Sequence, residues 1–188
     1  MPLYHFSDDP SIAHFVPRPT ATAPQGAPVV WAIDDAHAPM YYFPRDCPRA
    51  CFWPGPATPE TDRARWFGGV DARMVIVMES GWLARLRTAT LYRYHMPEAT
   101  FHPARADDPS GRWVSRQPVT PVAVESVGDL LAALVAAEVE LRITPRLLDL
   151  WRDVIQSTLE FSGTRLRNAV GWRFEDWVPA GEQVRSTP

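Results

Sequence analysis

The sequence predicts an α+β fold, a single domain of short, mostly antiparallel strands with several helices. Short apolar runs such as Val29–Ile33 and Arg73–Met78 alternate with helical stripes, but in no steady βαβ rhythm. The connections are long and rich in proline. No glycine-rich turn follows the early strands, which argues against a doubly wound sheet.

Leu3–Phe6 is expected as a strand. Ser7-Asp8-Asp9-Pro10 then offers helix-start chemistry, and Ile12, Phe15 and Val16 follow at helical spacing, so one helical turn is expected there. Pro17 to Pro28 reads as an extended surface loop. Val29–Ile33 is a buried strand, with Asp34-Asp35 placed to cap the next element. Ala36 to Phe43 is expected as one helical turn interrupted at Pro39, Cys51–Trp53 as an edge strand and Pro54 to Asp62 as a second loop. Arg73–Met78 is the clearest strand, and Glu79-Ser80-Gly81 breaks it.

A short helix over Trp82–Leu86 and a strand over Thr90–Tyr94 come next, the strand ended by His95-Met96-Pro97. His102 to Pro121 is polar, with a turn at Asp107-Asp108-Pro109-Ser110-Gly111. Ser126 and Asp129 have capping-box spacing before Leu130, Leu131, Leu134 and Val135, which share one face of a helix running to about Glu138. Val139–Ile143 alternates as a half-buried strand does. Thr144-Pro145 opens the best helix, with an apolar stripe of Leu147, Leu148, Trp151, Val154 and Ile155. Thr164–Ala169 is a last strand or loop. The domain spans 1–174; 175–188 is a loosely packed tail, the C-terminal stretch being pinned by Trp172 and Trp177.

In 188 residues, 46% apolar content is ample for a core and 22% charged is ordinary for a soluble chain. No apolar run approaches the roughly 20 residues that span a bilayer. The N-terminus lacks the basic and apolar regions of a signal peptide, so the expected location is the cytoplasm. All 19 basic residues are Arg, which excludes a P-loop lysine and a Schiff-base lysine. A net charge of −3 argues against a broad nucleic-acid footprint while leaving room for a local Arg cluster. Cys47 and Cys51 have no second cysteine pair and no histidine at ligand spacing, so two free thiols are expected and no metal. The patterns of serine hydrolases, zincins and Rossmann dehydrogenases are absent. No residue pattern specifies an oligomeric state.

The stretch from Val29 to Cys51 crowds Trp31, Asp34, His37, Tyr41, Tyr42, Arg45, Asp46 and Arg49 into a short span braced by prolines. Arg45 and Arg49 offer planar forks for phosphate or carboxylate. Tyr41 and Tyr42 offer flat faces for a ring. The alternative is that Tyr42 and Phe43 are core aromatics and Arg45–Asp46 a local ion pair. His5, on a strand, points away from Tyr4 and Phe6, either into a cleft or into the core with a hydrogen-bond partner. Glu140, Glu160 and the polar run Arg165-Leu166-Arg167-Asn168 are further candidates, set against a plain solvated role.

Leu3-Tyr4-His5-Phe6-Ser7, Val30-Trp31-Ala32-Ile33-Asp34, His37-Ala38-Pro39, Tyr42 to Arg49, Glu140-Leu141-Arg142, and Ser157-Thr158-Leu159 with Arg165, Arg167, Asn168 and Ala169 together resemble a bacterial family of unknown function. A strand reading Leu-Tyr-His, followed by a second strand leading into an aromatic-bearing helix, also resembles the ADP-ribosyltransferase-like fold with its split sheet. That resemblance implies His5 on a ribose hydroxyl of NAD, Tyr41 or Tyr42 stacked on nicotinamide, and Glu140 or Glu160 as the acceptor-orienting carboxylate. It implies Arg45 or Arg165 on the pyrophosphate, with Ser7, Trp31, Arg49, Arg167 and Asn168 as further contacts. NAD is then a substrate, and no tightly bound cofactor is expected. Some relatives dispense with the glutamate and use Arg and His on a phosphate.

The expectation is a nucleotide-binding domain, with NAD the first ligand to consider and ADP-ribosyl transfer its activity. Two alternatives stand beside it. One is a non-catalytic module that recognises phosphate or a protein through Arg and Trp. The other is a phosphotransferase acting on nucleic-acid ends, which predicts a basic groove.

Overall fold

The structure is a computed structural model that describes residues 1–19, 26–106 and 108–173. In chain order its elements are β1 (Leu3–Ser7), β2 (Val30–Asp34), β3 (Arg49–Trp53), α1 (Glu60–Phe67), β4 (Val75–Glu79), α2 (Leu83–Thr88) and β5 (Tyr92–Met96). There follow β6 (His102–Pro103), β7 (Arg112–Ser115), β8 (Ala123–Ser126), α3 (Leu130–Ala136), β9 (Glu140–Thr144), α4 (Leu148–Ile155) and β10 (Glu160–Thr164). Short 3-10 turns cover Ala38–Tyr41, Ser80–Trp82, Glu98–Thr100 and Leu166–Asn168. This is the mixed α+β content that the sequence predicts, with two mostly antiparallel sheets.

The chain divides into two compact units, and the boundary between Arg45 and Asp46 falls inside the proline-braced stretch. The first unit comprises Met1–Arg45 and Ala84–Ala137. Its sheet runs β6-β7-β2-β1-β5-β8 and is antiparallel throughout. Leu3, Phe15, Val30, Ala32, Tyr94 and Met96 pack one of its faces. The helical turn expected around Ile12–Val16 does not form. Phe15 instead pairs with Val119 as an isolated bridge, its ring filling the core, and the following Pro17 disfavours helical backbone at Val16. Pro39 sits in the first turn of the Ala38–Tyr41 segment and opens it, because proline suits a first turn that needs no N–H.

The turn before β7 is built by Asp108. Its carboxylate accepts from the Ser110 amide at 3.0 Å, the Ser110 hydroxyl at 2.5 Å and Arg112 Nε at 2.8 Å. Gly111 then takes φ +65°, and its carbonyl accepts from the Asp34 amide at 3.0 Å. A Cβ there would collide with the Asp34 and His37 side chains, so this position requires glycine. In α3 the N-cap is Asp129, which accepts from the Ala132 amide at 2.9 Å; the expected capping box from Ser126 does not form, because Ser126 ends β8 and its hydroxyl accepts from the Gly128 amide at 3.2 Å. The helix ends at Ala136, short of Glu138, which has a left-handed φ of 56°.

The second unit comprises Asp46–Leu83 and the chain from Glu138 onward. Its sheet runs β10-β3-β4-β9, with β4 and β9 parallel. Ala50 and Phe52 of β3 and Val75 and Val77 of β4 pack with Leu147, Leu148, Trp151 and Val154. The stripe of α4 thus matches the expected one, but the helix starts at Leu148, because Thr144 still belongs to β9. β3 is an interior strand whose five residues are all buried, not the edge strand that its prolines suggest. The expected Pro54–Asp62 loop gives way to α1 at Glu60, a helix anchored by Trp66 and Phe67. β4 extends through Glu79, a buried acid whose presence mimics a strand stop. Trp172 packs against this core, while the expected contact of Trp177 and the tail lie outside the described residues.

Candidate functional site

Alternation along β1 sends Leu3, His5 and Ser7 to one face and Tyr4 and Phe6 to the other. The His5 imidazole lies 4.6 Å, centroid to centroid, from the Phe15 ring on the core side. Its Nδ1 is 2.8 Å from the Trp31 carbonyl oxygen. A carbonyl only accepts, so Nδ1 carries the proton. Burial pushes the His5 pKa below 6.5; the carbonyl opposes that shift and the Arg45 cation reinforces it. At neutral pH the ring is therefore uncharged, with a lone pair on Nε2. That nitrogen meets no hydrogen-bond partner among the described residues, on a side chain that is partly buried.

The backbone after β1 is tied down around this group. The Tyr94 hydroxyl donates to the Asp9 carbonyl at 2.6 Å and accepts from the Ile12 amide at 3.0 Å. Ser7 Oγ accepts from the Asp9 amide at 3.2 Å, and Asp9 accepts in turn from the Ser11 amide and hydroxyl. Arg45 lies 3.6 Å from Asp8 in an exposed ion pair. His5 is the central residue of β1 and Ser7 its last, and the Arg45 guanidinium lies just past the strand's end, against Asp8.

The aromatics are on the opposite face of β1. Phe6 stacks on Tyr41 at 6.1 Å and meets Tyr42 edge-on at 5.5 Å. Tyr42 is only 7% exposed, so its ring serves packing. The same face carries a cluster that the sequence barely signals. Arg93 lies 5.0 Å above the Tyr4 ring and donates to Glu125 at 2.8 Å, and His95 Nε2 is 2.7 Å from the same Glu125 oxygen. The contacts from His95 and Arg93 hold the Glu125 carboxyl below its usual range. Burial raises the Tyr4 pKa, with the Asp35 carboxylate adding to it. The only sequence signal for this cluster is that Arg93 and His95 share one side of a strand. Their pairing with Glu125 depends on the β5–β8 register.

The Trp31 side chain is on the face of the first sheet opposite His5, beside Val114; the remaining candidates belong to the second unit. Arg49 is 3% exposed and donates to the Cys47 carbonyl at 2.9 Å. Asp46 gathers the polar run that follows β10: Asn168 Nδ2 donates to its carbonyl at 2.7 Å, and Arg165 Nε lies 4.0 Å from its carboxylate. Arg165 adopts a left-handed φ of 54° at that turn, and Arg167 is exposed. Register places Thr164, the residue before this turn, opposite Arg49. Arg49, Arg165 and Asn168 thus share one end of the second sheet.

The two glutamates are held by local partners. Glu140 pairs with Arg142, which also donates to the Trp66 carbonyl, and Glu160 accepts from the Trp53 indole at 2.6 Å. They begin β9 and β10, at opposite edges of the sheet. Burial pushes the Cys47 thiol up to about 11 and the Cys51 thiol up to about 12, and both are free. Among the described residues no group of three His, Cys, Asp or Glu is placed to hold a metal ion. No helix among them is long and apolar enough to cross a membrane.

Neither the curated proteins nor the solved structures gave a match to this chain. A family model does match, described as a family of unknown function (DUF6886), over residues 4–169. The matched span runs from β1 through the turn after β10 and takes in His5, the Val29–Cys51 stretch and Arg165–Asn168. The chain belongs to this family of unknown function.

Proposed function

We propose that the protein binds a nucleotide, NAD first among the candidates, with His5 Nε2 accepting a ribose hydroxyl. The observation that carries this is the orientation of one imidazole. The Trp31 carbonyl fixes the proton on Nδ1, burial keeps the ring neutral, and Nε2 is left as a lone-pair acceptor. A ribose hydroxyl is a matching donor. Ser7 offers a second short polar contact, and Arg45 a guanidinium suited to the pyrophosphate. Recognition by a neutral acceptor costs less desolvation than recognition by a charge.

The finer form of the proposal is ADP-ribosyl transfer, in line with the Leu-Tyr-His resemblance to ADP-ribosyltransferases. NAD is then a substrate, and a carboxylate would stabilise the positive charge that develops as nicotinamide leaves. The commitment of Glu140 to Arg142 and of Glu160 to Trp53 supports binding more than transfer. A cytoplasmic setting accords with two free thiols.

The test is a calorimetric titration of NAD into the purified protein and into His5→Ala. The proposal expects saturable heat in the wild type and at least a tenfold loss of affinity in the variant, the scale of one well-made hydrogen bond to a buried group. No heat from either protein at millimolar NAD rejects it. That outcome would favour the second reading, a non-catalytic module, which draws its support from the packed Tyr42 ring.

A further inference from the structure

A shallow groove of about 200 Å³ opens on the face of the first sheet turned away from its core cluster. Its floor is a cross-strand row: Trp31 of β2 stands opposite Val114 of β7, and Val114 stands opposite His102 of β6. Alternation places Arg116 on the same side as Val114, and Val29 on the same side as Trp31. Trp31, His102 and Arg116 all line this groove, and none of their side chains has a hydrogen bond or ion pair among the described residues. No carboxylate among the described residues lines it.

These are the parts of a small anion site. The indole supplies a flat, half-buried face, Val29 and Val114 supply apolar floor, and the guanidinium fork matches a carboxylate or phosphate. The volume falls below the roughly 300–1,000 Å³ of pockets that hold drug-sized ligands, so the occupant is one ring with one charged group. His5 does not contribute. Only the backbone carbonyl of Trp31 faces that imidazole, and the two side chains lie on opposite faces of the sheet.

We propose that this groove binds a small planar anion, its ring on Trp31 and its carboxylate or phosphate against Arg116 and His102. The test titrates benzoate, phenyl phosphate and neutral benzamide while following the backbone amide resonances of Ala104 and Val114. Benzoate or phenyl phosphate should shift those resonances saturably at millimolar concentration, and the tighter of the two identifies the anionic group. Benzamide should not. Arg116→Gln and His102→Gln change exposed side chains and leave the core intact. Each should weaken the anion about tenfold, the worth of a charge-assisted hydrogen bond. His5→Ala should leave the affinity unchanged, which separates this groove from the nucleotide reading. The proposal is overturned if neither anion moves the groove resonances, if benzamide binds as well as benzoate, or if both glutamine variants bind like wild type.

Discussion

His5 Nδ1 sits 2.8 Å from a carbonyl oxygen that can accept but never donate, so the backbone of β2 sets the tautomer of a side chain on β1. The protonation state follows from burial. The folded pKa lies below the 6.5 of the unfolded chain, so as the pH falls the unfolded state takes up its proton first. The stability contributed by the neutral ring is complete above about pH 6.5 and is lost as the pH falls from there through the folded value. An NMR titration of the His5 ring should give a midpoint below 6.5, and a midpoint at or above it contradicts the account. In the sequence, two placements of this histidine stand side by side, in a cleft or in the core with a partner. The structure combines them: a core-side ring with its partner on Nδ1 and no partner on Nε2 among the described residues. Spacing alone does not give that answer, because it depends on a carbonyl on the neighbouring strand.

At the scale of elements, Glu79 decides most in the second unit. Its carboxylate is 2% exposed and accepts from the Leu147 amide at 3.1 Å and the Val170 amide at 3.0 Å. It therefore ties the end of β4 to the residue before α4 and to the segment after β10. Glu79→Ala leaves the buried Leu147 amide and the part-buried Val170 amide without this acceptor and should cost about 2 kcal/mol in urea unfolding. Glu79→Gln keeps an acceptor and should cost less than half as much. Equal losses would mean that charge, not hydrogen bonding, holds these segments.

Elements with their own signal are legible in the sequence. The apolar runs of β1, β2 and β4, the alternation of β9 and the stripe of α4 all appear where the local pattern predicts them, within a few residues. Elements whose stability comes from partners are not. β3 looks like an edge strand because prolines flank it, yet β4 and β10 enclose it. α1 lacks an apolar stripe and is held by two aromatics at its end. β6 has only two residues and exists because β7 pairs with it. The candidate site divides on the same line. His5 and Arg45 are visible as residue types, whereas the Arg93–His95–Glu125 cluster depends on register.

For the whole molecule the order of segments matters. The first unit takes residues from both sides of the second unit's Asp46–Leu83 segment, and β1 makes its five-residue pairing with β5, beyond Leu83. β4 likewise finds its parallel partner only after the chain has returned from Ala137. Neither unit is a contiguous piece of chain, and closing such long loops comes before their contacts form. A fragment of residues 1–83 should therefore show no cooperative urea transition by circular dichroism. A sharp transition would mean that β1–β2 pairing suffices.

The family match covers both units, but the proposed function rests on the lone pair of His5 Nε2. The most direct measurement is ¹⁵N NMR of the histidine rings during addition of NAD. The account predicts that the free protein shows His5 as the Nδ1–H tautomer, and that its Nε2 resonance moves saturably as the ribose hydroxyl donates to it. An Nε2–H tautomer in the free protein, or an Nε2 resonance that stays fixed at millimolar NAD, would contradict it.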